Sequence, residues 1–498
     1  MMATVGRNIL ANVAGTGLGI VVFLAVVPVY LRLLGAEAYG LVGLLTTVTI
    51  AATALDLGLG ATMNRETARM TAQSTAGDSF ADVAATLQAA CWVVGIAAGV
   101  LFAVLAPAMA TRWLSFSMLS VGEVRSALGL MGAALPALVV RGFYLAALNG
   151  LQRQGLANLI QVGGTLARAA GTVAALQVVK PTATVFFVTQ LVLFYVEVAV
   201  LAAAQHRSLP VVARRGRVRS AAIRPVVAFS AGLAGTMLLG MALTSMDQVI
   251  LSAILPLAEF GYYTLAVTAA AAVGQVVRPV TTAVYPRFSQ LFERGDTGGA
   301  AEDYHFFSQL VAIVVLPLGA LLVFFPGDVL TLWTRDAGLV RHAAVVLSLR
   351  TLGTVLNALM HVPHVVQLAF GWSTLGASVN AVAFLVMAPV IVVLSLLWGG
   401  PGAALAWTVL NLGVLVVAMA RMHRRVLPGE LARWYGQLLL PAVAVAAVGA
   451  LARGAMPEAL GAAARLGWLA ATGVLAAGAA VSVAPTVRRR VVAAARLA

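Results

Sequence analysis

Apolar runs of about 20 residues follow one another along almost the whole chain, parted only by short polar breaks. A run of that length crosses the hydrocarbon core of a bilayer as a helix. The chain therefore reads as an all-α integral membrane protein with no room for a soluble domain. Of 498 residues, 61% are hydrophobic and 10% charged, and mean hydropathy is +0.98, far outside the range of soluble globular proteins. The first run opens directly after "MMATVGRN" without a small-residue cleavage site, so it reads as a retained span and not a signal peptide.

The pattern predicts about fourteen transmembrane helices, beginning near residues 10, 40, 84, 126, 156, 182, 226, 262, 305, 345, 375, 402, 436 and 465. With both termini in the cytoplasm, twenty of the 32 basic residues fall in inner segments, eight in outer ones and four inside spans. That bias follows the positive-inside rule. Net charge is +15, but the arginines lie mainly between spans, which points to topology and anionic lipid contact and away from nucleic acid. Cys91 is the single cysteine and sits in an apolar run, so neither an intrachain disulfide nor a cysteine metal cluster can form.

The longest inner break, "QHRSLPVVARRGRVRSAAIRP", reads as a linker between similar halves. "LLGAEAYGLVGLL" from Leu33 parallels "ILPLAEFGYYTLA" from Ile254 at an offset of 221 residues, with Tyr39-Gly40 over Phe260-Gly261. Pro107 and Trp113 then fall opposite Pro326 and Trp333, and His206-Arg207 opposite His423-Arg424. An even number of helices per repeat gives the halves the same orientation. The expectation is two parallel six-helix lobes, residues 1–206 and 226–424, around a central cleft, joined by a cytoplasmic linker at 207–225. Residues 425–498 would add two C-terminal helices outside the repeat.

Four helices carry polar stripes. Asn158, Gln161, Thr165, Arg168 and Thr172 recur at spacings of three and four, which puts them on one helix face. Thr46, Thr49, Thr53 and Asp56 do the same on the second helix. Gln275, Arg278 and Thr282 mark the eighth, and Arg350, Thr354, Asn357, His361 and His364 the tenth. Threonine stripes are explained equally well as packing seams. An arginine at mid-membrane costs roughly 3 kcal/mol on insertion scales, so Arg141, Arg168, Arg278 and Arg350 need a watery cavity or a partner. Guanidinium forks suit phosphate, so inward-facing arginines would bind an anionic head group. The competing account is an internal ion pair, with Arg141 and Glu197 at similar depths. Asp56, Glu197, Asp247, His361 and His364 are candidates for ion coupling or structural ion pairs. Asp56 also suits a capping role, and the two histidines lack further ligands for a metal. Asn158, Gln161, Thr165, Gln275 and Asn357 would line the cavity.

Other signals are missing. The only lysine, Lys180, does not sit in a phosphate-binding loop, and no HExxH or paired acidic cluster supports hydrolysis, so no cofactor, no metal and no enzyme activity are expected.

The N-terminal stretch containing "YLRLLGAEAYG" and "LDLGL", with "SMDQVILSAILPLAEFGYY" in the second half, resembles the polysaccharide-exporter branch, the Wzx-type flippases, of the multidrug/oligosaccharidyl-lipid/polysaccharide (MOP) superfamily. The resemblance implies a V of two lobes whose first, second, seventh and eighth helices line a cleft open to lipid. It implies a cargo of polyprenyl-diphosphate-linked oligosaccharide, such as an O-antigen unit of lipopolysaccharide, moved across a bacterial inner membrane. Arg278 would then meet the head group by position. Membrane lipids, a polysaccharide polymerase and other assembly proteins are the implied partners. Within the same superfamily the alternatives are a lipid-linked peptidoglycan precursor flippase and a drug or metabolite antiporter; a membrane scaffold is the alternative outside it.

Overall fold

The computed structural model describes residues 17, 19, 21–22, 24–73, 78–210, 216–219, 239, 242–372 and 374–489. The expected helix starts near residues 10 and 226 and most of the 207–225 linker lie outside them. Among the described residues the structure is helical, apart from one isolated bridge between Ser115 and Pro256. Contacts group the chain into two compact units, Met1–Gly261 and Tyr262–Ala498. The expected lobe boundaries rest on sequence equivalence between the halves, and on that ground they are proposed.

The first unit contains α1 (Leu24–Leu34), α2 (Ala36–Leu55), α3 (Leu59–Gln73), α4 (Asp78–Ala108), α5 (Val121–Gly150), α6 (Gln154–Val178), α7 (Ala183–Ser208) and α8 (Ala242–Ile254). The division falls inside α9 (Leu257–Gln275). The second unit continues with α10 (Arg278–Glu293), α11 (Thr297–Phe324), α12 (Pro326–Thr334), α13 (Ala337–Leu359), α14 (His361–Ala369), α15 (Thr374–Val426), α16 (Leu431–Gly454) and α17 (Ala462–Ser482).

Among the described residues, eleven helices are long and apolar enough to cross a membrane, and α1 and α8 are shorter apolar helices. One of the eleven, α15, has 53 residues. At 1.5 Å per residue it would measure about 80 Å, well beyond a bilayer core of about 30 Å. It is two helices joined at Gly399, whose φ of 59° and ψ of −137° are not helical. Three expected single helices are interrupted instead. The second breaks between α2 and α3 at Asp56–Gly58, and the eighth between α9 and α10, at equivalent places in the two repeats. The tenth breaks at Met360.

Local chemistry sets several helix starts. Ser120 and Glu123 form a capping box at α5, the Ser120 side chain accepting from the Glu123 amide at 3.2 Å and the Glu123 carboxylate accepting from the Ser120 amide at 3.0 Å. Asp296 caps α11 through Gly299 N at 2.8 Å, and Asp336 caps α13 through Leu339 N at 3.1 Å.

In the first unit α5 is the central helix, packing on α2, α3, α4, α6 and α7, with Leu128, Met131, Phe143 and Leu148 fully buried. Small residues permit the closest approach. Gly99 on α4 and Gly132 on α5 face each other so tightly that a Cβ on Gly99 would lie 2.6 Å from the Gly132 carbonyl oxygen. In the second unit α11 packs on α10, α13, α14, α16 and α17 around Tyr304, Trp434 and Phe288. The opposite faces are apolar and exposed: Val93, Val100 and Val104 on α4, and Leu439, Leu440 and Val443 on α16, are each more than half exposed. Such belts are a liability in water and are what lipid-facing helices require.

The repeat signature has a packing cause. A Cβ on Gly40 would strike the Leu257 carbonyl oxygen, and one on Gly261 would lie 2.7 Å from that of Ala36. Ala36 and Leu257 are separated by the same offset as Gly40 and Gly261, so the contact is its own image, as across a local two-fold. Around it Glu37 accepts from Ser117 N and Met118 N, each at 2.7 Å, and from Leu119 N at 3.0 Å. Leu257 N donates to Ser115 O at 2.7 Å, Trp113 Nε1 to Ser252 Oγ at 3.0 Å, and Thr47 Oγ1 to Gln248 Oε1 at 2.6 Å.

Because the atom in the way at Gly40 is backbone, Gly40→Ala should destabilise the purified protein by about 3 kcal/mol, the upper end for overpacking. Gly413→Ala, with nothing within 4 Å of the new methyl, should change it little. Thermal unfolding in detergent measures both.

Candidate functional site

The polar stripe on α6 meets a carboxylate from α7. Arg141 on α5 donates from Nε to Glu197 Oε1 at 2.7 Å, and Arg168 on α6 donates to Glu197 Oε2. The Glu197 side chain is 1% exposed, against 14% for Arg168 and 23% for Arg141. The Arg168 guanidinium also donates to Thr165 Oγ1 at 3.4 Å and lies 4.8 Å from the Phe194 ring centre. Two guanidiniums and one carboxylate leave a net charge of +1. Arg141 uses one of its five N–H groups within the described residues. The cluster therefore has both the charge and the spare donors to hold an anion.

The α6 backbone makes room for it. A Cβ on Gly164 would sit 2.7 Å from the Glu197 carboxyl carbon. On the same face Thr165 donates to the Gln161 carbonyl at 2.9 Å, Asn158 is half-buried, and Thr172 accepts from Gln190 Nε2 at 3.3 Å.

In the second unit the predicted residues form separate small groups. Arg278, at the start of α10, is exposed and donates to Gln275 Oε1 at 3.5 Å. Arg350 is buried with its guanidinium 4.2 Å from the Trp407 ring centre. Asn357 Nδ2 donates to Asn411 Oδ1 at 2.8 Å, and Asn411 Nδ2 donates to the Trp407 carbonyl at 2.8 Å. His361 Nδ1 donates to the Asn357 carbonyl at 3.0 Å, satisfying backbone at the α13–α14 break. His364 is exposed one turn further on.

Of the other carboxylates, Asp56 holds backbone. Asp56 accepts from Gly60 N at 2.9 and 3.0 Å, taking up an amide that the break between α2 and α3 would otherwise leave bare. Its Oδ1 is 4.0 Å from the buried Cys91 Sγ. Asp247 is buried on α8. The second-helix threonines turn inward on their own helix: Thr46, Thr49 and Thr53 donate to the carbonyls of Val42, Leu45 and Ile50 at 3.2, 2.8 and 2.7 Å.

Sequence reasoning missed a cluster at the ends of α11, α15 and α16. His305 Nε2 lies 2.6 Å from Glu430 Oε2 and its Nδ1 2.7 Å from Gln437 Oε1, while Tyr304 Oη lies 3.0 Å from His423 Nε2. Partial burial works against the Glu430 carboxylate, but His305 and Arg433 outweigh it and hold it below the usual carboxylate range. Its members are scattered over more than a hundred positions, and no spacing in the sequence links them. Among the described residues, no three His, Cys, Asp or Glu side chains converge as a metal site.

The model of the family described as polysaccharide biosynthesis protein matches residues 5–292, more than half of the chain. The chain belongs to that family. Its fold is that of MOP-superfamily transporters. The inward-facing conformation of a multidrug resistance MATE family transporter of that superfamily superposes with a TM-score of 0.71 at 13% identity, covering 83% of this chain and 96% of the other. The lipid II flippase MurJ in its inward closed conformation gives 0.73 at 11% identity, covering 97% and 99%. A MOP superfamily transporter from Pyrococcus furiosus gives 0.58 at 13% identity, over 86% and 96%. No curated protein matches. At these identities the likenesses show the fold alone: a member of the polysaccharide biosynthesis family built as a multi-pass helical membrane protein.

Glu197→Ala should cost about 3–5 kcal/mol, since two guanidiniums lose their shared counter-charge. Arg141→Ala should cost less, because Arg168 still neutralises the carboxylate. Gly164→Ala should cost about 1–3 kcal/mol by displacing a carboxylate that two arginines hold in place. Thermal unfolding of the three purified variants gives the order.

Proposed function

We propose that the chain is a flippase. It moves a polyprenyl-diphosphate-linked oligosaccharide, an O-antigen or exopolysaccharide repeat unit, across a bacterial inner membrane by alternating access of two six-helix lobes. The family match supports the cargo class. The single observation that carries the reading is the cluster of Arg141, Glu197 and Arg168, a net-positive group within membrane-spanning helices with guanidinium donors to spare.

On this reading the diphosphate takes up the free guanidinium edges while Glu197 keeps the two arginines in place. Charge-assisted, bidentate contacts make such binding strong without closing around any particular sugar. Arg278, exposed beside Gln275, adds a further head-group contact. Arg350, stacked on Trp407 and buried, contributes positive potential more than direct contact. His361, His364, Asp56 and Asp247 serve the framework, with Asn158, Gln161, Thr165 and Asn357 lining the path of the glycan. Both termini are cytoplasmic, and residues 425–498 form an appendage to the two lobes. Moving one net charge across 100 mV is worth roughly 2.3 kcal/mol, so the membrane potential is one energy source for the cycle and an ion gradient is the other.

Reconstituted vesicles holding a fluorescent polyprenyl-diphosphate oligosaccharide in one leaflet test this. Arg278→Ala should lower the translocation rate at least tenfold with an unchanged unfolding midpoint. Translocation of a cationic drug, or of the peptidoglycan precursor alone, would replace the proposed cargo. No translocation of any substrate would leave a scaffold.

A further inference from the structure

Where α12, α13 and α17 meet, the second unit holds a cavity of about 780 Å³ lined by Thr331, Leu332, Arg335, Val340, Arg341 and Arg465. Three guanidiniums share it with apolar side chains. The nearby carboxylates are already engaged: Asp328 is bound by Arg453 at 2.7 Å and approached by Arg465 at 3.3 Å, and Asp336 caps α13. Arg335 and Arg341 pair with no carboxylate among the described residues.

Two features make this more than a scatter of surface charge. Arg335 ends α12 in the left-handed region, with φ 56° and ψ 30°, where glycine is the usual occupant because side chains crowd the backbone. An arginine is therefore held at a position where its own backbone conformation disfavours it. Opposite, α17 starts at Gly461 with no side-chain cap, so its first-turn amides add positive potential beside Ala462, which also lines the cavity. Next to Arg465 on α17, Leu466 is more than 60% exposed, so apolar surface adjoins the arginines. Positive charge set against apolar walls at the edge of a lipid-facing surface matches a phosphate joined to acyl chains.

We propose that this cavity binds the phosphate head group of an anionic membrane lipid. Arg335 and Arg341 hold the phosphate oxygens, Arg465 completes the positive rim, and Leu332 and Val340 meet the first segment of the acyl chains. The site lies wholly within the second unit and involves none of the residues of the proposed flippase path, so it stands or falls independently of that reading.

The full chain in detergent micelles is titrated with phosphatidylglycerol, with phosphatidylcholine, or with millimolar inorganic phosphate, and the unfolding midpoint is followed. Phosphatidylglycerol should raise the midpoint by about 3 °C over phosphatidylcholine, and inorganic phosphate should not. The double variant Arg335→Gln/Arg341→Gln should lose that difference while keeping its midpoint in phosphatidylcholine. The charge-matched control Arg112→Gln/Arg125→Gln, at two exposed positions elsewhere, should retain it. If the double variant folds poorly, Arg341→Gln alone should retain fewer phosphatidylglycerol molecules in native mass spectrometry. The proposal is overturned if the double variant or Arg341→Gln binds as the parent does, or if the control loses as much. It is equally overturned if inorganic phosphate gives the same rise, which would make the cavity a free-anion site.

Discussion

Lipid offers no hydrogen bonds, so every polar group carried into the bilayer must find its partner within the protein. That one requirement accounts for the helices and for the placing of most buried charges. Where α2 gives way to α3, Asp56 takes up the exposed amide of Gly60. At the α13–α14 break His361 answers a backbone carbonyl. Glu37 gathers three amides of the Ser117–Leu119 segment. Glu197 serves two arginines at once. Asp56 and Glu37 both spend their carboxylate oxygens on backbone amides.

The same requirement does not explain why Glu197 receives two arginines when one would neutralise it. The surplus charge distinguishes this cluster from a simple structural pair, whose desolvation penalty is met by a single partner. Gly164 is the backbone device that admits the carboxylate, and Phe194 gives the Arg168 guanidinium an aromatic face. A site that binds and releases an anion needs this kind of imbalance: enough carboxylate to hold the arginines in position, too little to satisfy them.

The internal repeat has a comparable physical basis. Gly40 and Gly261 match in sequence because each must let a backbone carbonyl from the other copy pass close by, and any side chain there would collide. The helix breaks at Asp56–Gly58 and after Gln275 match as well: Gly58, with a φ of 78°, marks the first, and Pro279, in the first turn of α10, follows the second. The expected single helices run through both because a polar stripe at helical spacing can be drawn straight through a kink. The hydroxyls of Thr46, Thr49 and Thr53 in that stripe donate to carbonyls of their own helix.

Hydrophobic run length, the arginine bias between runs and the repeated LLGAEAYG-like segment were enough to determine an all-helical membrane protein of two related halves, because those properties depend on how a segment meets lipid and not on its neighbours. The family resemblance was legible for the same reason. Only the tertiary structure decided that Arg141 and Arg168 converge on Glu197, that Arg350 lies on Trp407, and that His305, Glu430 and Gln437 meet. Those contacts join helices far apart in the chain, and one residue of helical rotation or a small axial slide would have given each side chain a different partner.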